Sequence, residues 1–188
     1  MKSGIFLAAT AMLMLAESVS ADVVQATPAG FELKQVVTID ASIARTWATL
    51  VVPQKWWDHE HTYSDDSANL RLETSATGCF CELIPGSKGS VEHARVVYFQ
   101  PPRVLRMVGA LGPLQAEAVT GTLTFKLDPE TATTTRVTLS YVVGGYVRAG
   151  ADTLAPKVDE VLATQLLGLK AAAGAAVVTP AKESAVGR

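Results

Sequence analysis

The chain is short of the residues that usually carry chemistry. Its 188 residues include two cysteines and three histidines, and the cysteines stand one residue apart, Cys79 and Cys81 in the stretch GCFCE. There is no G-x-S-x-G nucleophile elbow, no G-x-G-x-x-G turn and no P-loop, which leaves serine-hydrolase, dinucleotide and nucleotide-triphosphate chemistry without their usual carriers. Neither acids nor bases are in marked excess. The net charge is −2 and no basic block or stripe occurs, so nucleic acid is not an expected partner. Long apolar runs are absent too. Ile5 to Leu15 is the longest stretch of that kind, and a membrane span needs ~20 residues.

That short run has a different reading. Lys2 precedes it, and Val19 and Ala21 stand at the −3 and −1 spacing of a signal-peptidase site. Residues 1–21 are expected to be a secretory signal, and no integral membrane segment should remain after cleavage. The mature chain would begin at Asp22 as an exported, periplasmic protein. Residues 22–30 read as a flexible lead and 31–170 as one domain, long enough for a sizeable core. The Ala-rich tail 171–188, interrupted by Gly174 and Pro180, reads as disordered.

Within the domain, Phe31 to Asp40 has strand character. Ser42 can cap a short helix, IARTWATLV, that Pro53 ends. KWWDHEHTYSDDSAN reads as a second short helix or loop. Strand patterns follow at Leu70–Thr74, Gly78–Ile84, Val91–Phe99, Val104–Ala110, Val119–Leu127 and Thr135–Tyr146, joined by the turn chemistry of PGSKGS, QPPR, LGPLQ and DPETAT. After Gly150 the period changes to 3.6, with Leu154, Val158, Val161, Leu162, Gln165, Leu166 and Leu169 on one stripe, Asp152 or Thr153 as cap and Pro156 in the first turn. The order predicts an α+β fold: an antiparallel sheet with a long C-terminal helix on its concave face.

Simple hairpins, with Ile84 opposite Val91 and Phe99 opposite Val104, sort the side chains by face. Cys79, Cys81, Leu83, Ala94, Val96, Tyr98, Leu105, Met107, Leu123, Phe125, Leu127, Val137, Leu139, Tyr141 and Val143 fall inward. Glu82, His93, Arg95 and Arg106 fall outward; Glu82, His93 and Arg95 resemble an acid/base constellation, but this register reads them first as a cross-strand charge cluster in solvent.

The segments GCFCELIPGSKGSVEHARVVYFQPPRVLRM, GALGPLQAEAVTGTLTF, TRVTLSYVVGGY and LAPKVDEVLATQLLGLK resemble the SRPBCC superfamily, which includes START-like, Bet v 1-like and polyketide-cyclase domains. The resemblance is nearest to bacterial homologues of the Hsp90-ATPase activator and spans Phe31 to Leu169. It implies a helix-grip fold, a seven-stranded antiparallel sheet wrapped around the C-terminal helix with a cavity between them. It carries over no catalytic residue, because reactive groups differ between branches. The expected signal peptide would also separate this chain from cytosolic Hsp90.

The expected function is binding or carriage of a small hydrophobic or amphipathic molecule in that cavity. Cys79, Cys81, Tyr98, Met107, Phe125 and Tyr141 would line it, with Trp56 and Trp57 as its cap; the same side chains could equally be core filling. A cyclase- or hydrolase-type enzyme using Tyr141, His59 or His61 is the alternative, and a protein-interaction module a third. No cofactor is required. Zinc held by His59, His61, Cys79 and Cys81 is a minority reading of the ligand set. A Cys79–Cys81 disulfide is another, since export permits oxidation. In a flat strand, however, the two Cα atoms would be ~6.5–7 Å apart, beyond the ~5.5–6 Å a disulfide prefers. The pair therefore reads first as cavity wall.

Overall fold

Two-residue alternation builds most of the chain. A computed structural model describes residues 20–175; the expected signal peptide up to Val19 and the tail beyond Ala175 lie outside the described residues. In chain order come β1 (Ser20–Thr27), β2 (Gly30–Ile39), α1 (Ile43–Leu50), three single 3₁₀ turns (Pro53–Lys55, His59–His61, Ser67–Asn69), β3 (Leu70–Leu72), β4 (Cys79–Ile84), β5 (Gly89–Gln100), β6 (Val104–Gly109), a further 3₁₀ turn (Gly112–Ala116), β7 (Ala118–Pro129), β8 (Thr135–Tyr146) and α2 (Ala151–Gly174). The strands form one antiparallel sheet in the order β1-β2-β8-β7-β6-β5-β4-β3.

Among the described residues the sheet has eight strands, not seven. The added one is β1, which starts at Ser20 in the expected signal peptide, crosses the expected cleavage site after Ala21 and takes up most of the expected flexible lead 22–30. Its Val23 and Val24 are exposed at the sheet edge, so no burial alternation marks it in the sequence. The helix also outruns expectation at its far end. α2 reaches Gly174 because Ala173 is buried against the core. At its start Gly150, with φ 85°, takes the cap position, and Asp152 and Thr153 lie inside the first turn; Pro156 is within the helix rather than in that turn.

The core lies between the concave face and α2. Leu123, Phe125 and Leu127 from β7, Val137, Leu139, Tyr141 and Val143 from β8, and Leu162, Leu166 and Leu169 from α2 are buried together. Burial of this kind supplies about 25 cal/mol per Å². Ser42 caps α1, its Oγ accepting from Arg45 N–H at 3.4 Å. Arg45 in turn donates to the carbonyls of Ala173 and Ala175, placing a cation at the negative C-terminal end of α2.

One glycine sets how closely the connecting segment approaches α2. A Cβ on Gly168 would collide with the Trp56 carbonyl oxygen. Gly168→Ala would stabilise an exposed helix position by ~1 kcal/mol. Here it is expected to destabilise the fold by about 1–3 kcal/mol, read as a lower urea midpoint; an unchanged or higher midpoint would mean that segment is not seated on the helix.

Strand β5 departs from simple alternation twice. The register shifts between Phe80 and Cys81 on β4, where His93 is the extra residue on β5, so His93 and its neighbour Ala94 both turn inward. It shifts again between Val96 and Tyr98, where Val97 is the extra residue and both Val97 and Tyr98 turn outward. These β-bulges reverse the facing of particular side chains. Glu82 and His93, expected in solvent, are buried on the inner side, while Arg95 and Arg106 stay outside. Leu83 and Tyr98, expected inside, are exposed. The hairpin turns also differ by residues from the simple choice: Ile84 pairs with Gly89 and Gln100 with Val104.

Candidate functional site

The segment from Pro53 to Asn69 crosses the open end of the space between sheet and α2, held by polar ties. Gln165, fully buried on α2, accepts from Asp58 N–H through Oε1 (2.8 Å) and donates through Nε2 to His61 Nδ1 (2.7 Å). With Nδ1 accepting, His61 carries its proton on Nε2. Gln54 donates to the Leu70 carbonyl at 2.6 Å. On the other side, Glu82 on β4 accepts from Tyr63 N–H (3.1 Å), Ser64 N–H (2.6 Å) and His93 Nε2 (2.9 Å).

Glu82 and His93 are 0% and 5% exposed. Burial is the largest influence on Glu82 and pushes its carboxyl up, but the hydrogen bonds from Ser64, Tyr63 and His93 outweigh it and hold the group below the usual glutamate range. Burial likewise dominates at His93 and pushes the imidazole below its ordinary value, the Glu82 hydrogen bond and charge opposing it only in part. The pair is therefore a buried carboxylate that accepts an N–H from an imidazole disposed to stay neutral.

Aromatic rings of the segment and of the strands beneath it run in a row. Phe125 meets Trp56 (centroids 6.2 Å), Trp56 meets Trp57 (5.4 Å), Trp57 meets Phe80 (5.2 Å), Phe80 meets His93 (5.2 Å) and His93 meets Tyr63 (6.0 Å). Trp56 is buried and donates Nε1–H to the Leu50 carbonyl at 3.2 Å; Trp57 is half-buried and donates to the His61 carbonyl at 3.1 Å. Tyr63 is exposed, its hydroxyl donating to the Gly112 carbonyl at 3.0 Å. Leu50, Pro53, Trp56, Trp57, Leu72, Phe80, Leu105, Met107 and Phe125 enclose a void of about 10 Å³, enough for one water at most. A second, open hollow of about 370 Å³ lies between the β1–β2 turn and the start of α2, lined by Pro28, Ala29, Gly145, Tyr146, Val147 and Gly150; it has no acid, base or cysteine.

Of the residues picked from the sequence, Trp56, Trp57, Met107 and Phe125 meet around the small void. Tyr141 is buried, but its hydroxyl is already satisfied, donating to the Gly109 carbonyl (3.1 Å) and accepting from Leu111 N–H (3.2 Å), and burial pushes it up to about 12. It anchors the turn after β6 rather than offering a free proton-transfer group. Tyr98 lies on the convex face, 44% exposed, under the Arg106 guanidinium.

Cys79 and Cys81 leave the cavity wall as well. They alternate with the inward Phe80 and Glu82 on β4, stand opposite Arg95 and Glu92 and are joined by a disulfide. The expectation of reduced thiols assumed a flat strand. The bulge beside them bends and twists the ladder and brings their Cα atoms to 5.4 Å, inside the disulfide range. The histidines do not join the sulfurs: among the described residues, the metal-ligating atoms that converge in a group of three or more are those of Cys79, Cys81 and Glu92. Sequence reasoning missed Phe80, Leu72, Gln165 and the inward Glu82–His93 pair. A polar Gln165 on the apolar stripe of α2 was the one visible signal.

No family model matches the sequence, and no curated protein matches it. Solved structures do. A conserved protein of unknown function, EF2215 from Enterococcus faecalis, superimposes with a TM-score of 0.55 at 14% identity, covering 89% of this chain and 83% of that one. A protein from Arthrobacter aurescens gives 0.53 at 17% identity, covering 91% and 98%. The di-domain ARO/CYC BexL from the BE-7585A biosynthetic pathway gives 0.55 at 14% identity, covering 75% of this chain; the chain spans 45% of that protein. This is a helix-grip fold. The helix-grip framework explains why a 24-residue helix (α2) closes over the concave sheet. Among the described residues, no helix is long and apolar enough to cross a membrane.

Proposed function

We propose that the protein is an exported SRPBCC-type domain that binds a small hydrophobic or amphipathic molecule between its sheet and α2, entering where the Pro53–Asn69 segment now closes the interior. The observation that carries this reading is the row of rings Phe125, Trp56, Trp57 and Phe80 around a small void, continued by His93 and Tyr63. Flat aromatic surfaces shared between core and covering segment give a ligand apolar area to replace ring for ring. The covering segment is tied by side-chain hydrogen bonds to Gln165 and Glu82, each worth only ~0.5–3 kcal/mol net. Half-buried Trp57 is the ring that would move first. The likeness to an aromatase/cyclase domain supports an apolar or polycyclic ligand.

A fluorescent apolar probe tests it. Saturable binding of one probe per chain, with quenching of tryptophan emission and loss of affinity in Trp57→Ala, is the expected result. No saturable binding, together with nothing apolar released from protein isolated from its own periplasm, would reject the reading and point to surface docking of a protein partner, the mode of Hsp90-activator relatives. One observation favours a second reading. His93 of the buried Glu82–His93 pair stands in the same row of rings, between Phe80 and Tyr63, and a neutral imidazole beside a carboxylate is suited to proton transfer on a bound cyclase-type substrate.

A further inference from the structure

The Cys79–Cys81 bridge contributes little as a staple. Closing a loop of about three residues removes only ~1.5 kcal/mol of unfolded-chain entropy, against ~3 kcal/mol for fifteen residues. β4 is already held by ladders to β3 and β5. What its placement achieves is to set two sulfurs side by side on the convex face. Cys81 pairs with Glu92 across the ladder and Cys79 with Arg95, and both Sγ atoms lie within 4.8 Å of a Glu92 carboxylate oxygen and of each other. The cysteines are 9% and 8% exposed, while the Glu92 and Arg95 side chains beside them are 47% and 53% exposed and ion-paired. The cluster therefore has a backbone side, an acidic donor and a solvent side.

We propose that reduction of Cys79–Cys81 opens a binding site for a thiophilic divalent cation of the zinc class, held by Cys79 Sγ, Cys81 Sγ and a Glu92 carboxylate oxygen. A dithiol supplies the reducing equivalents. Two electrons and two protons pass to the bridge, the S–S bond breaks, two thiols form, and the dithiol closes to its own disulfide. The cation then takes both sulfurs as thiolates, and two protons leave to solvent. Two thiolates and one carboxylate suit tetrahedral zinc with water at the fourth position. Arg95 must release Glu92, which for an exposed pair costs about 0–1 kcal/mol, and it keeps its hydrogen bond to the Thr77 carbonyl at 3.3 Å. The oxidised bridge offers no thiolate, so the oxidation state gates the site. The ligand set differs from one built on His59 and His61, because the carboxylate on the facing strand supplies the third donor. The proposal is independent of any ligand in the interior.

The test uses chain reduced with dithiothreitol, desalted without air, and offered Zn²⁺ or Co²⁺. Native mass spectrometry is expected to find one zinc per reduced chain and none on the oxidised chain, and cobalt to give a thiolate-to-metal charge-transfer band. Cys81→Ser should abolish the band, and Glu92→Gln should weaken zinc binding by at least the ~10–100-fold that loss of even a supporting partner brings. His59→Ala with His61→Ala should change neither. Absence of stoichiometric zinc on the reduced chain, full binding in Cys81→Ser, or unaltered affinity in Glu92→Gln would overturn the assignment. Circular dichroism of the Cys79→Ala, Cys81→Ala double variant guards against unfolding; it should keep the native spectrum, and a collapsed spectrum would overturn the premise that the bridge is not a staple.

Discussion

Replacing Glu82 by alanine is expected to lower the unfolding free energy by about 3–5 kcal/mol, because three hydrogen bonds to one carboxylate, each worth ~1.5–3 kcal/mol, are lost while the cost of burying its charge is recovered; the loss is measured as a fall in urea midpoint. The carboxylate satisfies three donors, the part-buried Tyr63 N–H and Ser64 N–H and the buried His93 Nε2. Each orphaned donor carries about 1–3 kcal/mol of desolvation penalty. Glu82→Gln should fall between wild type and Glu82→Ala, since its oxygen can still accept while its NH₂ faces donors. A loss under 1 kcal/mol in Glu82→Ala would show that the covering segment is not anchored at β4.

The same pair fixes the sign of the acid response. His93 is held below its ordinary value near 6.5, so as pH falls past that value the unfolded chain takes up a proton that the folded chain refuses, and stability drops. Glu82 is held below its ordinary value near 4.5, so a second loss begins as pH falls past it, again because the unfolded state binds the proton first. Both limbs make the protein less stable in acid. His59, raised by its hydrogen bond to Asp58, runs the other way but is exposed. His93→Gln should remove the upper limb and leave the lower one.

Trp56→Ala is the second large effect, about 3–5 kcal/mol. The indole is 7% exposed, packs on Phe125 and Trp57 and donates to the Leu50 carbonyl. Its removal enlarges an existing void of about 10 Å³ in a place where α2 and β7 are too firmly held to collapse into it. A cavity shaped by a missing ring can bind that ring. Added indole should therefore raise the midpoint of Trp56→Ala and leave the wild type unmoved. If indole fails to rescue it, the site has repacked, and the space between sheet and helix is less defined than the rings imply.

Much of the fold was legible in the sequence. β8 came out at Thr135–Tyr146 with its inward residues in place, because an unbroken two-residue alternation leaves no choice of face. Phe125, Met107, Trp56 and Trp57 were legible as an apolar group for related reasons. The other half of the site was not. His93 and Val97 are ordinary strand residues, and nothing in EHARVVYF marks which of them sits outside the ladder; one unmarked residue sent Glu82 and His93 to solvent and both cysteines to the interior. Gln165 was seen as a member of a helical stripe, but its partners, Asp58 and His61, are more than a hundred residues away, beyond the reach of any local pattern.

The two irregularities of β5 also bear on which changes of length the fold absorbs. Val97 has no partner on β6, yet Val96 and Tyr98 on either side keep theirs. Omitting that one residue leaves every other rung of the ladder matched. The same omission inside β8, which is matched rung for rung to β2 and β7, throws half the strand out of step and turns its core side chains to water. Sequences sharing this architecture can therefore differ by a residue in mid-strand at β5 without a loop changing, and an alignment that moves such a gap into the nearest turn would assign the wrong face to everything between.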